Sequence, residues 1–287
     1  MTLYAQLRAC VGSQMASTPR TYWSIIQQDR RTRWTPIATL ITLILCCGTF
    51  YLAPSQDTWY AARPVPDWFD ALIAATSHVS TTHLWTNMGM LLVAGMFFEF
   101  TEGPFRTIAV LYAGLFVGFL IHGLTKPTVR IRGLSGAIYG LVWAQVGLLI
   151  LNWHEMPWRY VRVFVSLTLL NLDLGFYLFD LSPGISYESH AFGAVGGVCA
   201  ALCLGQNVRV HRYEKWFAWM GVVAFAIFTI VAAASNQHAI GGFLFIQVIV
   251  CFQYALWQTR CIDRAQTSTT HIPPTVPHTT PHVRTSV

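Results

Sequence analysis

Three short runs in this sequence hold residue types suited to acyl-transfer chemistry. Gly133-Leu134-Ser135-Gly136, with Tyr139 one helical turn beyond the serine, offers a hydroxyl nucleophile. Ser189-His190-Ala191-Phe192-Gly193 offers an imidazole base, and His78 to His83 to Asn87 offers two imidazoles and an amide. A serine hydroxyl is a poor nucleophile until a base removes its proton, and a neutral imidazole can later return that proton to a leaving amine. The oxyanion formed on the way needs preorganised donors. His83, Asn87 and the Ser135 backbone N–H are the candidates, since His83 and Asn87 lie four apart on one helical face. His78 either precedes that helix or points elsewhere. No carboxylate is placed for a Ser–His–Asp triad: Glu188 should point away from His190, Asp180 lies in a loop and Asp173 inside a span. The reading is a Ser135–His190 dyad, with Tyr139 stacking on the imidazole in the orienting part an acid would otherwise fill.

Each run also has a plainer reading. A GxSG run arises often by chance, a serine in a membrane helix usually bonds its own i−4 carbonyl, and a lone histidine near a span end is commonly interfacial. What favours chemistry is the set of elements that must carry the runs. The chain has 287 residues, of which 54% are hydrophobic and only 10% charged, against about 25% charged in soluble domains. An ordinary water-soluble enzyme is excluded. Crossing a hydrocarbon core about 30 Å thick takes roughly 20 apolar residues. Stretches near that size fall at 34–53, 83–100, 105–124, 134–151, 160–179, 187–205, 216–234 and 238–257. This predicts an all-α membrane protein, a polytopic helical bundle. Segment 64–77, with Trp68, Phe69 and its acids, suits a loop or short helix lying at the interface.

With the N-terminus in the cytoplasm and eight alternating spans, every one of the 18 Lys and Arg residues except Arg63, Lys126, Arg130 and Arg132 faces the cytoplasm. This obeys the positive-inside bias and places both termini there. Spans two, four and six then start on the non-cytoplasmic side, and each carries one polar run in its first turns. All three runs fall at one depth in the outer leaflet, where strongly polar residues are costly and mark function, and where water can reach them. Gly136 and Gly140 on span four, and Gly193 and Gly197 on span six, form small-xxx-small faces that let helix backbones approach closely. That approach brings a Ser135–His190 hydrogen bond of about 2.6–3.2 Å within reach.

Taken together, His78-x4-His83-x3-Asn87, Gly133-x-Ser135-Gly136 with Tyr139, and His190-x2-Gly193-x3-Gly197 resemble the signature of the rhomboid intramembrane serine proteases. Glu99, at the far end of span two, resembles an acidic position of that family. The resemblance covers about 34–206 and implies a six-helix core. It implies Ser135 as nucleophile, His190 as general base, His83, Asn87 and the Ser135 amide as oxyanion donors, and His78 as support for that site. Three departures stand out. The family's Trp-Arg pair in the first outer loop is missing, with Trp68-Phe69-Asp70 near its place; Ser189 stands where alanine is usual; and two spans follow the core instead of one.

The expected organisation is a cytosolic segment 1–33 without the apolar core of a signal peptide, a six-span catalytic core 34–206, two added spans in 207–258 and a disordered cytosolic tail 259–287. The tail histidines His271, His278 and His282 read as solvated residues. Seven cysteines, at 10, 46, 47, 199, 203, 251 and 261, show no CxxC spacing and read as small buried hydrophobes. No metal, cofactor or nucleic acid is expected, and nothing specifies an oligomeric state. The expected partners are the lipid bilayer and single-span membrane-protein substrates, cut near the outer ends of their helices. Two readings compete with an endopeptidase. One is a catalytically silent rhomboid-like protein that binds membrane-helix clients, set against retention of both serine and histidine. The other is a transporter, set against polar residues at one outer depth rather than at the midplane.

Overall fold

A computed structural model describes residues 35–52, 68–179, 185–208 and 210–270. The segment 1–33, the tail beyond 270, Arg63, Asp180 and the side chains of Trp68, Phe69 and Asp173 lie outside the described residues. The described chain is helical: α1 (Ile37–Leu52), α2 (Trp68–Thr76), α3 (Thr81–Glu102), α4 (Pro104–Thr125), α5 (Ser135–Leu151), α6 (Arg159–Leu178), α7 (Tyr187–Leu204), α8 (Arg212–Ala234) and α9 (His238–Thr270). Each of the eight expected spans coincides with a helix, and α2 is the short helix of segment 64–77. By length and composition α4, α8 and the His238–Trp257 part of α9 can each cross a bilayer, while α1 and α5 are shorter apolar helices. In α3 and α7 the polar residues named above lower the hydropathy. One boundary moves: α9 runs to Thr270, past the expected span end at 257 and into the segment read as a disordered tail.

The centre of the bundle is a layer of three helices, α4, α5 and α7, packed on one another. Of α4, 78% is buried, whereas α8 and α9 are each 28% buried along their apolar windows, so the last hairpin lies on the outside against α7 and α4. The tightest seam joins α5 to α7. A Cβ at Gly193 would collide with the Gly136 carbonyl oxygen, and one at Gly197 with the Gly140 carbonyl oxygen. Only hydrogen at these positions lets the two backbones touch, as the small-xxx-small spacing implies. Large side chains, Phe116, Phe119, Ile138, Leu141 and Leu148 among them, fill the remaining core.

Helices α3, α5 and α7 start at the same end of the bundle, where α4 ends. At the opposite end Glu99 of α3 reaches the start of α1, accepting the Ala38 and Thr39 N–H groups and the Thr39 hydroxyl, each at 2.8 Å. This satisfies donors that the first turn of a helix leaves without partners. Glu102 accepts the Gln206 N–H at 2.7 Å and lies 3.8 Å from Arg106, which itself bonds the Leu204 carbonyl. Asn152 holds the same exit from α7, donating to the Gln206 carbonyl at 2.8 Å and accepting the Val208 N–H at 2.9 Å.

Candidate active site

Ser135 is the first residue of α5, and no side chain caps that helix. The Ile138 N–H is the first to close a turn, onto the Leu134 carbonyl, so the N–H groups of Ser135 and Gly136 are left with no partner inside the helix, beside the positive end of its dipole. The preceding Gly133 has φ 119°, a conformation that L side chains rarely adopt, and its N–H donates to the Ala74 carbonyl of α2 at 2.8 Å. A Cβ there would stand 2.8 Å from His83 Cε1 and 3.7 Å from Asn87 Nδ2. The loop into the serine is therefore pressed against the His83–Asn87 face of α3. Asn87 Nδ2 donates to His83 Nε2 at 3.2 Å, and Ser80 caps α3 by accepting the His83 N–H at 3.2 Å. An amide nitrogen only donates, so in this arrangement the His83 proton sits on Nδ1 and one Asn87 N–H stays uncommitted to it.

His78 is 4% exposed in the loop before α3, with its ring against that of His83 at 5.1 Å. Its Nδ1 donates to the Thr76 carbonyl at 3.2 Å. Burial first, and His83 beside it second, hold His78 down at about 4, so it is neutral near pH 7. Tyr139 stacks on His190, with ring centroids 4.1 Å apart and planes 17° from parallel. The imidazole of α7 is thus held on α5, one turn above Ser135. The direct Ser135–His190 hydrogen bond that the spacing predicts is not formed among the described residues. Glu188 pairs with Lys126 at 2.9 Å.

Ser189 is 1% exposed, and its Oγ occupies the space between Gly118 of α4 and Gly136 of α5 without a hydrogen-bond partner. Four contributors have no place in the sequence reading of the site. Ser80 and Ser186, each an N-cap three residues before a structured N–H, carry the ordinary signature of a helix start. The carbonyl of Ala74 and the ring of His122 carry none, because only the fold brings them to the serine loop. His122, 2% exposed, bonds Ser186 Oγ at 2.7 Å and the Val129 carbonyl at 2.9 Å. The described residues contain no group of three or more His, Cys, Asp or Glu arranged to hold a metal ion, and Cys46, Cys47, Cys199, Cys203 and Cys251 are free.

Residues 66–207, about half of the chain, match the family model of the rhomboid domain. The chain belongs to the rhomboid family. It is 31% identical over 157 residues to rhomboid-related protein 1 of Caenorhabditis elegans, an alignment covering 53% of this chain and 44% of that one. It is 24% identical over 172 residues to human rhomboid-related protein 3, covering 56% and 43%, and 23% identical over 166 residues to rhomboid-like protease 1 of Toxoplasma gondii, covering 57% and 55%. The chain thus spans about half the length of the curated relatives it matches. As a rhomboid it is an integral, multi-pass membrane protein, and the matched residues take in α2 to α7, which carry every group of the candidate site. Helices α1, α8 and α9 lie outside the match.

Proposed function

We propose that this rhomboid is an intramembrane serine endopeptidase whose nucleophile is Ser135 and whose general base is His190. The observation that carries this reading is the Tyr139–His190 stack, which holds an imidazole on the helix that begins with the serine. In the reaction, His190 takes the Ser135 proton as Oγ attacks the scissile carbonyl carbon. The oxyanion takes N–H donors from the open first turn of α5 and from Asn87, with His83 and His78 supporting that wall. Collapse breaks the C–N bond, His190 returns the proton to the departing amine, and water activated by the same imidazole releases the acyl group. Catalytic hydrogen bonds are often long until substrate binds, so the dyad does not require a short Ser–His bond in advance.

The length of α5 fits a site below the membrane surface. Its 17 residues span about 25 Å, short of a hydrocarbon core about 30 Å thick. With its far end at the opposite face, Ser135 starts inside the slab. The basic residues support an orientation with both termini cytoplasmic and the site in the outer leaflet. The substrates in this reading are single-span membrane proteins, whose helix must unwind before a carbonyl can meet Ser135. Gly or Pro near the cut lowers that cost. The test is cleavage of a reconstituted single-span protein with a glycine-containing outer segment. Ser135→Ala is expected to lower turnover by about 10⁴-fold or more, and equal cleavage by both forms would leave the silent, client-binding reading in its place.

A further inference from the structure

The two halves of the dyad come from segments far apart in sequence, and something must keep the loop before Ser135 in step with the start of α7. His122, in the last turn of α4, touches both. The Val129 carbonyl can only accept, so the Nε2 facing it at 2.9 Å carries the proton. In the neutral ring Nδ1 is then an acceptor, and the hydroxyl that meets it at 2.7 Å, Ser186 Oγ, donates. Ser186 has a competing acceptor, Glu188 Oε2, but that lies at 3.5 Å, so the shorter bond to His122 takes the proton. With its proton so placed, Ser186 Oγ keeps lone pairs for the Ser189 N–H at 3.3 Å, which is the cap of α7. The Ser186 carbonyl accepts the His190 N–H itself at 3.2 Å. With a neutral ring the polarities along Val129–His122–Ser186–Ser189 are consistent throughout, with one proton per link. Outside this chain, Lys126 and Glu188 are the charged groups facing the ring, paired with each other at 2.9 Å.

We infer that His122 is a positioning residue: its neutral ring ties the segment leading to Ser135 to the helix cap that aims His190, and so sets the distance between nucleophile and base. This rests on the protease reading above. His122 touches no reacting atom in that reading, and its effect passes through Val129 and Ser186. Because Ser186 sits four residues before His190, a shift of the cap moves the base directly.

The experiment compares His122→Phe, which fills the space but makes neither bond, with His122→Gln, whose amide can donate to Val129 and accept from Ser186. Ser186→Ala and Ser186→Thr form the same contrast from the other side, and serve if His122→Phe does not fold. Steady-state cleavage of a fluorogenic single-span peptide is normalised to monodisperse protein. His122→Phe and Ser186→Ala are expected to lose kcat by tenfold to a hundredfold, on the order of the cost of misplacing a reacting group by about 1 Å, with KM unchanged. His122→Gln and Ser186→Thr should recover most of it. Hydrogen exchange, measured also in the Ser135→Ala background, should quicken together at 129–135 and 186–190 in His122→Phe. Turnover by His122→Phe at the wild-type rate, or equal losses in the Phe and Gln variants, would overturn the positioning role alone. Equal cleavage by wild type and Ser135→Ala would instead remove the protease reading on which it rests.

Discussion

The two ends of this bundle bury polar groups in opposite ways. At the end opposite the candidate site, the buried polar groups include three carboxylates beside Asn152 and several threonines. Glu99 and Glu214 are 0% exposed and Glu102 is 2% exposed, and each holds a helix end or exit: Glu99 the start of α1, Glu102 the exit of α7, Glu214 the start of α8 through the His211 N–H at 2.7 Å. A buried charge is costly unless it is paired or hydrogen-bonded, and the orphan N–H groups of a helix start are well suited to supply those bonds. At the site end the buried polar residues include His78, Asn87, His122 and Ser189, all uncharged. An ion pair there, Lys126–Glu188, keeps 42% and 23% of its side chains exposed. At one end Glu99 fastens the start of α1 by accepting three hydrogen bonds, and the other end uses neutral hydrogen bonds and bare backbone contact. In the proposed protease the difference has a chemical reason. A carboxylate held by three donors cannot readily change its protonation, whereas a base must gain and lose a proton in each cycle.

Three substitutions probe this division of labour, and the largest effect belongs to the backbone seam. Gly197→Ala places a methyl on the Gly140 carbonyl oxygen and must part α5 from α7. The expected cost is about 3 kcal/mol or more, at the top of the overpacking range, read as a fall in thermal midpoint in detergent together with loss of cleavage. A variant of unchanged midpoint would show that the seam is not what holds the site. Glu99→Gln comes next. It leaves an amide facing the first-turn donors of α1 and should cost about 1–3 kcal/mol, while turnover per folded molecule stays at the wild-type value. Lower turnover at full stability would mean that the two ends are coupled. The smallest effect is expected at Ser189, whose buried hydroxyl has no partner. Ser189→Ala removes an unsatisfied group and should stabilise the protein by about 1 kcal/mol or less; destabilisation beyond that would assign the hydroxyl a hidden partner.

Much of this arrangement is legible in the order of residues. The apolar stretches place every expected span on a helix, because burying or lipid-exposing twenty residues in a row is a local property. The paired glycines on α5 and α7 announce their contact, since nothing else at that spacing lets two backbones touch. The rhomboid resemblance rests on the same residues, as does the expectation that Tyr139 lies on His190, which one turn of helix makes available. The extent of α9 was less legible, because its residues beyond 257 are polar and carry no apolar period.

What only the tertiary structure decided concerns partners distant in sequence. The Ala74 carbonyl that takes the Gly133 N–H is a backbone group, identical in every residue and so invisible to a reading of side-chain types. His122 looks like a stray polar residue in an apolar helix until the loop at Val129 and the cap at Ser186 close around it. Glu99 reads as an acid at a span end, and only the packing of α1 against α3 gives it three donors. The sequence by itself determined which helices form and which of them can touch. The three-dimensional fold decided where each buried donor finds its acceptor, because a hydrogen bond depends on tenths of an ångström between segments that the chain order leaves unrelated.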